Sequence, residues 1–191
     1  VKELGLSEKE YKPATVSAII SNAKNALLSA EEYERRYYGA DVKARRPLIS
    51  RIFAIYNERC RVANAMDFDD IILNMHRLLS ENEDIRCIYN ERYRYILVDE
   101  YQDTNFAQHC VVMLLMGNEK HLCVVGDDAQ SIYSFRGANI NNIIGLEKTI
   151  PGLRTFRLER NYRSTQNIVN AAGSLIDRNT HQLRKHVFSE N

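Results

Sequence analysis

The chain has 191 residues, enough for one or two domain cores, with 45% hydrophobic and 27% charged residues. The longest unbroken apolar run, residues 111–116, is far too short to cross a bilayer, and the start at Val1 shows neither the basic nor the apolar region of a secretory leader. A membrane protein is excluded on these grounds, and the start suits a subcloned internal piece. Net charge is +1 but unevenly spread: residues 67–105 carry ten acidic side chains against four arginines, whereas from Pro151 onward seven basic residues face three acidic ones. The basic tail can meet a polyanion. Cys60, Cys87, Cys110 and Cys123 form no CxxC pair, and the spacing reads as reduced cysteines behaving as small core hydrophobes.

Residues 13–38, rich in Ala, Leu, Glu, Lys and Arg, read as helical, and after Pro47 the residues Ile49, Phe53, Tyr56, Cys60 and Ala63 recur at helical spacing. Asp67 caps a further helix whose stripe of Phe68, Ile71, Ile72, Met75, Leu78 and Leu79 is expected to face a core. The pattern then changes. Residues 95–98 and 122–125 are short continuous apolar runs ending in carboxylates, separated by a helical stretch at 106–116. That order predicts strand, crossover helix and strand in a parallel sheet buried on both faces. Ligands of such sheets bind beyond the carboxyl ends of the strands, where Asp99, Glu100 and Asp127 would lie. A third apolar run at 155–158 reads as another strand, followed by a helix capped by Ser164 that carries Ile168, Val169, Ala172, Leu175 and Ile176.

Three strings carry chemistry. In VDEYQDTN (98–105), a strand delivers two adjacent carboxylates to its exposed end. A carboxylate such as Asp99 suits the hard, partly hydrated Mg²⁺ ion, and Glu100 can orient and deprotonate an attacking water. In VVGDDAQSIYSFRGA (124–138), Gly126 allows a tight exit from the strand and Gln130 offers an amide donor and acceptor able to register a phosphate. Tyr133, Phe135 and Arg136 then set two aromatic faces and a guanidinium within four residues, a combination suited to unpaired bases and phosphates and equally compatible with core packing of the aromatics. In LERNYRSTQN (158–167), Arg163 stands at a polar turn, where it either pairs with a surface carboxylate or neutralises a transferring phosphate.

In this order the strings resemble motifs II, III and IV of the UvrD/Rep/PcrA family of superfamily 1 DNA helicases, and DFDDIIL (67–73) resembles the segment just upstream of motif II in that family. The resemblance implies an α/β fold in three parts: a helical accessory domain over 1–93, the later part of a RecA-like parallel-sheet P-loop NTPase motor domain over 94–157, and the start of a second motor domain over 158–191. It implies that Asp99 binds Mg²⁺, Glu100 is the catalytic base, Gln130 senses the γ-phosphate of ATP, Arg163 contacts that phosphate, and Tyr162 lies against the adenine. Tyr133, Phe135 and Arg136 would bind single-stranded DNA during 3′ to 5′ translocation and duplex unwinding; relatives often have Trp where Phe135 stands. Single-stranded and partly duplex DNA, with repair or replication proteins, are the implied partners, and a cytoplasmic, nucleoid-associated location is implied with them. The family's GxxxxGK[ST] phosphate loop does not occur in these 191 residues, so the chain alone is expected not to hydrolyse ATP. Alternatives are the motor of a helicase-nuclease, a DNA- or protein-binding module without turnover, and a metal-dependent nuclease using Asp99, Glu100, Asp103 and Asp127.

Overall fold

A computed structural model describes residues 1–117, 121–133, 137–179 and 185–191. The chain divides into two compact units: residues 1–97 with 105–123, and residues 98–104 with 124–191.

The first unit is built on helices. Pro13 opens α1 (Pro13–Asn25), where its missing N–H costs nothing. The helical character expected at 13–38 is realised as two helices: Leu27 turns left-handed at φ 58°, and Ser29 starts α2 (Ala30–Lys43) through a capping box with Glu32. Helix α3 (Ile49–Val62) follows just after Pro47 and packs on α2. Tyr11, Ile20, Leu28, Tyr33, Ile49 and Phe53 form much of the core of this helical part.

Asp67 caps α4 (Phe68–Glu81), as its sequence predicts, with Asp70 completing a capping box. The stripe expected on α4 is covered only in part: Ile72 and Met75 are half-buried and Leu79 is fully buried, and Leu73, outside the stripe, joins them. Phe68 is 90% exposed, and Ile71 and Leu78 are also exposed. The partners of α4 decide this: α1, α5 (Glu83–Arg92) and α6 (Phe106–Met116) cover one flank and leave the other open. Helix α5, absent from the sequence expectation, follows α4 after the single residue Asn82. Within the first unit, the ammonium of Lys24 on α1 lies 2.7 Å from both Asp67 and Asp70, and the Tyr56 hydroxyl donates to Asp67 at 2.8 Å. Burial works against the charge on Asp67, yet Lys24, the Asp70 N–H and Tyr56 together hold its carboxyl below the usual range.

Strands β1 (Ile96–Val98) and β2 (Leu122–Val124) pair in parallel with α6 as the intervening helix, giving the expected strand–helix–strand order. Burial on both faces is not found. Leu97 is 76% exposed and Cys123 is exposed, because no third strand or covering layer lies on that side among the described residues. All four cysteines are free, but Cys87 and Cys123 are surface residues rather than core ones.

The second unit contains two short helices, α7 (Asn141–Ile144) and α8 (Leu146–Thr149), and the longer α9 (Gln166–Ile176). Residues 155–158 do not form the expected strand: Phe156 and Leu158 are exposed, and the nearby ladder contact is a single parallel bridge between Arg160 and Phe188. An apolar run becomes a strand only where a neighbour accepts its backbone hydrogen bonds. The N-cap position of α9 is held by Thr165, whose side chain makes no capping hydrogen bond, and not by Ser164; the Ser164 N–H is instead held by the Asn161 side chain. No helix among the described residues is long and apolar enough to cross a membrane.

Candidate functional site

The carboxylates expected to carry chemistry stand where β1 ends. Both Asp99 and Glu100 are exposed. Asp99 uses one oxygen to accept the Glu100 N–H at 2.9 Å. Glu100 adopts the left-handed conformation, φ 50° and ψ 42°, which a residue with a Cβ adopts at a cost and which recurs at functional sites. The turn that follows, Tyr101–Asp103, is tightly seated: Tyr101 is fully buried and its N–H donates to the Val125 carbonyl at 2.9 Å. The Val125 N–H in turn donates to Val98 at 2.8 Å, extending the parallel register of the strands into both motif segments.

Gln102 joins the two segments. It is 1% exposed, its amide nitrogen donates to Glu100 Oε2 at 2.7 Å, and its amide oxygen accepts the Asp127 N–H at 3.0 Å. Gly126 leaves room for that contact, since a Cβ there would come within 2.7 Å of Gln102 Oε1 and 2.8 Å of Ile143 Cδ1. Thr104 closes the turn by donating to the Tyr101 carbonyl, and the buried Asn142 of α7 donates to the Thr104 carbonyl at 2.9 Å.

Asp127 organises the second segment. One of its oxygens accepts the Ala129 N–H at 3.1 Å and the other accepts the Gln130 amide at 2.8 Å. Lys185 forms an ion pair with Asp127 and reaches Asp128 at 3.3 Å. Burial works against the charge on Asp127, yet Lys185, Gln130 and the Ala129 N–H together hold its carboxyl below the usual range. Burial likewise opposes the Lys185 ammonium, and the two aspartates more than offset it, raising its affinity for a proton.

The third segment stands separately. The Asn161 side chain accepts the N–H groups of Arg163 and Ser164 at 2.9 and 2.8 Å, which shapes the turn ahead of α9. Tyr162 is exposed, with the Arg160 guanidinium 4.9 Å from its ring centroid. Among the described residues no hydrogen bond or ion pair joins Tyr162 or Arg163 to Asp99 or Glu100. Tyr133 is on the margin of exposure, and Phe135 and Arg136 lie outside the described residues.

The structure thus gathers Asp99, Glu100, Asp127 and Gln130 into one hydrogen-bonded assembly through Gln102. The sequence reading assigned no role to Gln102, Asn142 or Lys185. An amide in the octet that carries the paired carboxylates was a visible signal for Gln102; Lys185 stands 58 residues from Asp127 and nothing local announces it. Free oxygen lone pairs remain on Asp99 and Glu100, and Asp103 Oδ1 is buried without a hydrogen-bond partner. The Asp99 and Glu100 oxygens suit a divalent ion such as Mg²⁺ in chemical type, while among the described residues no three His, Cys, Asp or Glu side chains converge into a metal-holding group.

A family model described as the UvrD/REP helicase N-terminal domain matches residues 1–151. The chain is 40% identical over 191 residues to ATP-dependent DNA helicase PcrA of Leuconostoc citreum, covering 100% of this chain and 25% of the relative. It is 42% identical over 197 residues to ATP-dependent DNA helicase UvrD1 of Mycobacterium tuberculosis, covering 99% of this chain and 25% of that protein. With ATP-dependent DNA helicase Rep of Escherichia coli it shares 42% identity over 171 residues, covering 90% of this chain and 25% of Rep. The chain therefore spans about a quarter of the length of these relatives. The family match over most of the chain, with similarity running through all three motif segments, means that this chain belongs to the UvrD/REP helicase family.

Proposed function

We propose that this chain is the segment of an ATP-dependent DNA helicase that activates the attacking water and links hydrolysis to single-stranded DNA. The observation that carries the proposal is the pair Asp99 and Glu100 at the carboxyl end of a parallel strand, tied through Gln102 to the turn that holds Gln130. Phosphoryl transfer from ATP asks the protein mainly for positioning and charge neutralisation, and such an assembly suits both. In this reading residues 94–157 are the later part of a RecA-like motor domain, 1–93 an accessory domain and 158–191 the start of a second motor domain.

Asp99 would hold Mg²⁺, whose bound form neutralises charge on the phosphates. Glu100 orients the attacking water and accepts its proton. Gln130 and Arg163 contact the γ-phosphate, Arg163 through charge and Gln130 through an amide that reports whether the phosphate is there. Tyr162 offers its open ring face to the adenine. Tyr133, Phe135 and Arg136 hold single-stranded DNA by stacking and phosphate contact, and closure of the motor domains moves the strand in the 3′ to 5′ sense. The phosphate loop is not among these 191 residues, so turnover belongs to the full-length protein. A nuclease built from Asp99, Glu100, Asp103 and Asp127 fits less well, because Asp127 is committed to Lys185, Gln130 and the Ala129 N–H.

The test is ATP hydrolysis by the full-length protein with and without single-stranded DNA, beside its Glu100→Gln variant. DNA-stimulated turnover that falls by a factor of ~10² to 10⁴ in the variant is expected for loss of a general base. A full-length protein that binds DNA without turnover, or a variant that turns over normally, would overturn the assignment.

A further inference from the structure

We infer that Gln102 is a positioning residue for Glu100, fixing the carboxylate and coupling its placement to the turn that carries Gln130. The inference rests on the proposed role of Glu100 and adds a residue to it. Glu100 is exposed and held in a left-handed backbone conformation, so an unanchored side chain there would sample many rotamers. Gln102 supplies the anchor from a buried position: it donates to Glu100 Oε2 at 2.7 Å and accepts from the Asp127 N–H at 3.0 Å. The polarity is unambiguous, because a carboxylate only accepts and a backbone N–H only donates, so the amide has one orientation that serves both.

Two further contacts lock the bridge. Gly126 is the residue whose missing Cβ lets Gln102 Oε1 approach, and the Ser131 hydroxyl donates to the Gln102 carbonyl at 3.4 Å. Asp127, whose N–H meets Gln102, also accepts the Gln130 amide through its side chain. The path from Glu100 to Gln130 therefore runs through one buried amide and one aspartate. A shift of the Gln130 turn reaches the Glu100 carboxylate through Asp127 and Gln102, which gives a phosphate contact at Gln130 a route to the water-activating group.

A purely structural Gln102 would do no more than satisfy the Asp127 N–H. Gln102→Glu separates the two roles: it keeps an acceptor for that N–H and replaces the donor facing Glu100 with a like charge. Gln102→Met, similar in size, removes both bonds without adding charge. In the full-length protein, kcat and KM for ATP at saturating single-stranded DNA, DNA affinity by fluorescence anisotropy, and melting temperature are measured for both variants and for Gln102→Glu combined with Glu100→Gln. Gln102→Glu is expected to lose about tenfold or more in kcat with little change in KM or DNA affinity, the signature of a displaced general base, beside a lowered melting temperature because the new charge is buried. The double variant is expected to be no slower than Glu100→Gln alone, because both changes disable one unit.

Wild-type kcat in Gln102→Glu, or losses that multiply in the double variant, would overturn the inference. If Gln102→Glu does not fold, the kcat and KM of Gln102→Met decide: a drop confined to kcat supports positioning, and an unchanged kcat overturns it. If wild type shows no DNA-stimulated turnover, or Glu100→Gln is fully active, the proposed function itself falls and this inference with it.

Discussion

Gly126 shows how much a single side-chain position carries in this site. The conformation is not what demands glycine; the approach of Gln102 and Ile143 does. Gly126→Ala forces these neighbours apart and is expected to destabilise the second unit by ~1–3 kcal/mol, the range for overpacking, measured by chemical denaturation. An unchanged denaturation midpoint would mean that Gln102 yields freely. The Asp127–Lys185 pair makes a second residue-level prediction, in pH. Asp127 binds its proton less readily when folded than its ordinary value of 3.8 implies, so its contribution is present above that pH and is lost as pH falls through the lower folded value. Lys185 shifts upward from 10.5, so its contribution is present below 10.5 and is lost as pH rises through the higher folded value. Stability followed from acid to alkaline pH is expected to decline at both ends more steeply in wild type than in Lys185→Met. Coincident profiles would show that the pair contributes nothing.

At the scale of elements, the junction of α1 with the start of α4 is the most exacting feature of the first unit. Lys24 is fully buried, and its charge is balanced by two aspartates that also make the α4 capping box. Removing one partner of a buried pair leaves the other charges uncompensated, so Lys24→Ala is expected to cost about 3–5 kcal/mol in equilibrium unfolding. A loss below about 1 kcal/mol would show that water reaches Asp67 and Asp70 readily. Asp67 was legible in the sequence as a helix cap, since a capping residue acts on N–H groups within its own turn. Its second task, receiving Lys24 and Tyr56, depends on residues 43 and 11 positions away and left no local trace.

For the molecule as a whole, the amount of apolar surface left open is the leading observation. Phe68 on α4, Leu97 and Cys123 on the strand pair, and Phe156 and Leu158 in the extended segment are all exposed. A two-stranded parallel sheet leaves unpaired backbone groups as well as an open face, and such edges recruit other chains. The isolated 191-residue chain is expected to self-associate as its concentration rises, and Leu97→Lys to reduce that association, both read by light scattering on a sizing column. A monomer at every concentration would show that these side chains tolerate water better than their area implies.

The sequence by itself determined the elements that depend on neighbours within a turn or two: the Asp67 cap, the helices after Pro13 and Pro47, the strand–helix–strand order and the placement of paired carboxylates at a strand end. Motif strings made the helicase resemblance legible for the same reason, since each is a short contiguous segment. Only the tertiary structure decided which flank of α4 is covered, that residues 155–158 form no strand, that Cys87 and Cys123 face outward, and that Gln102 and Lys185 complete the carboxylate assembly. Those outcomes turn on partners far along the chain, and burial, strand pairing and ion pairing become defined only when folding brings the partners together.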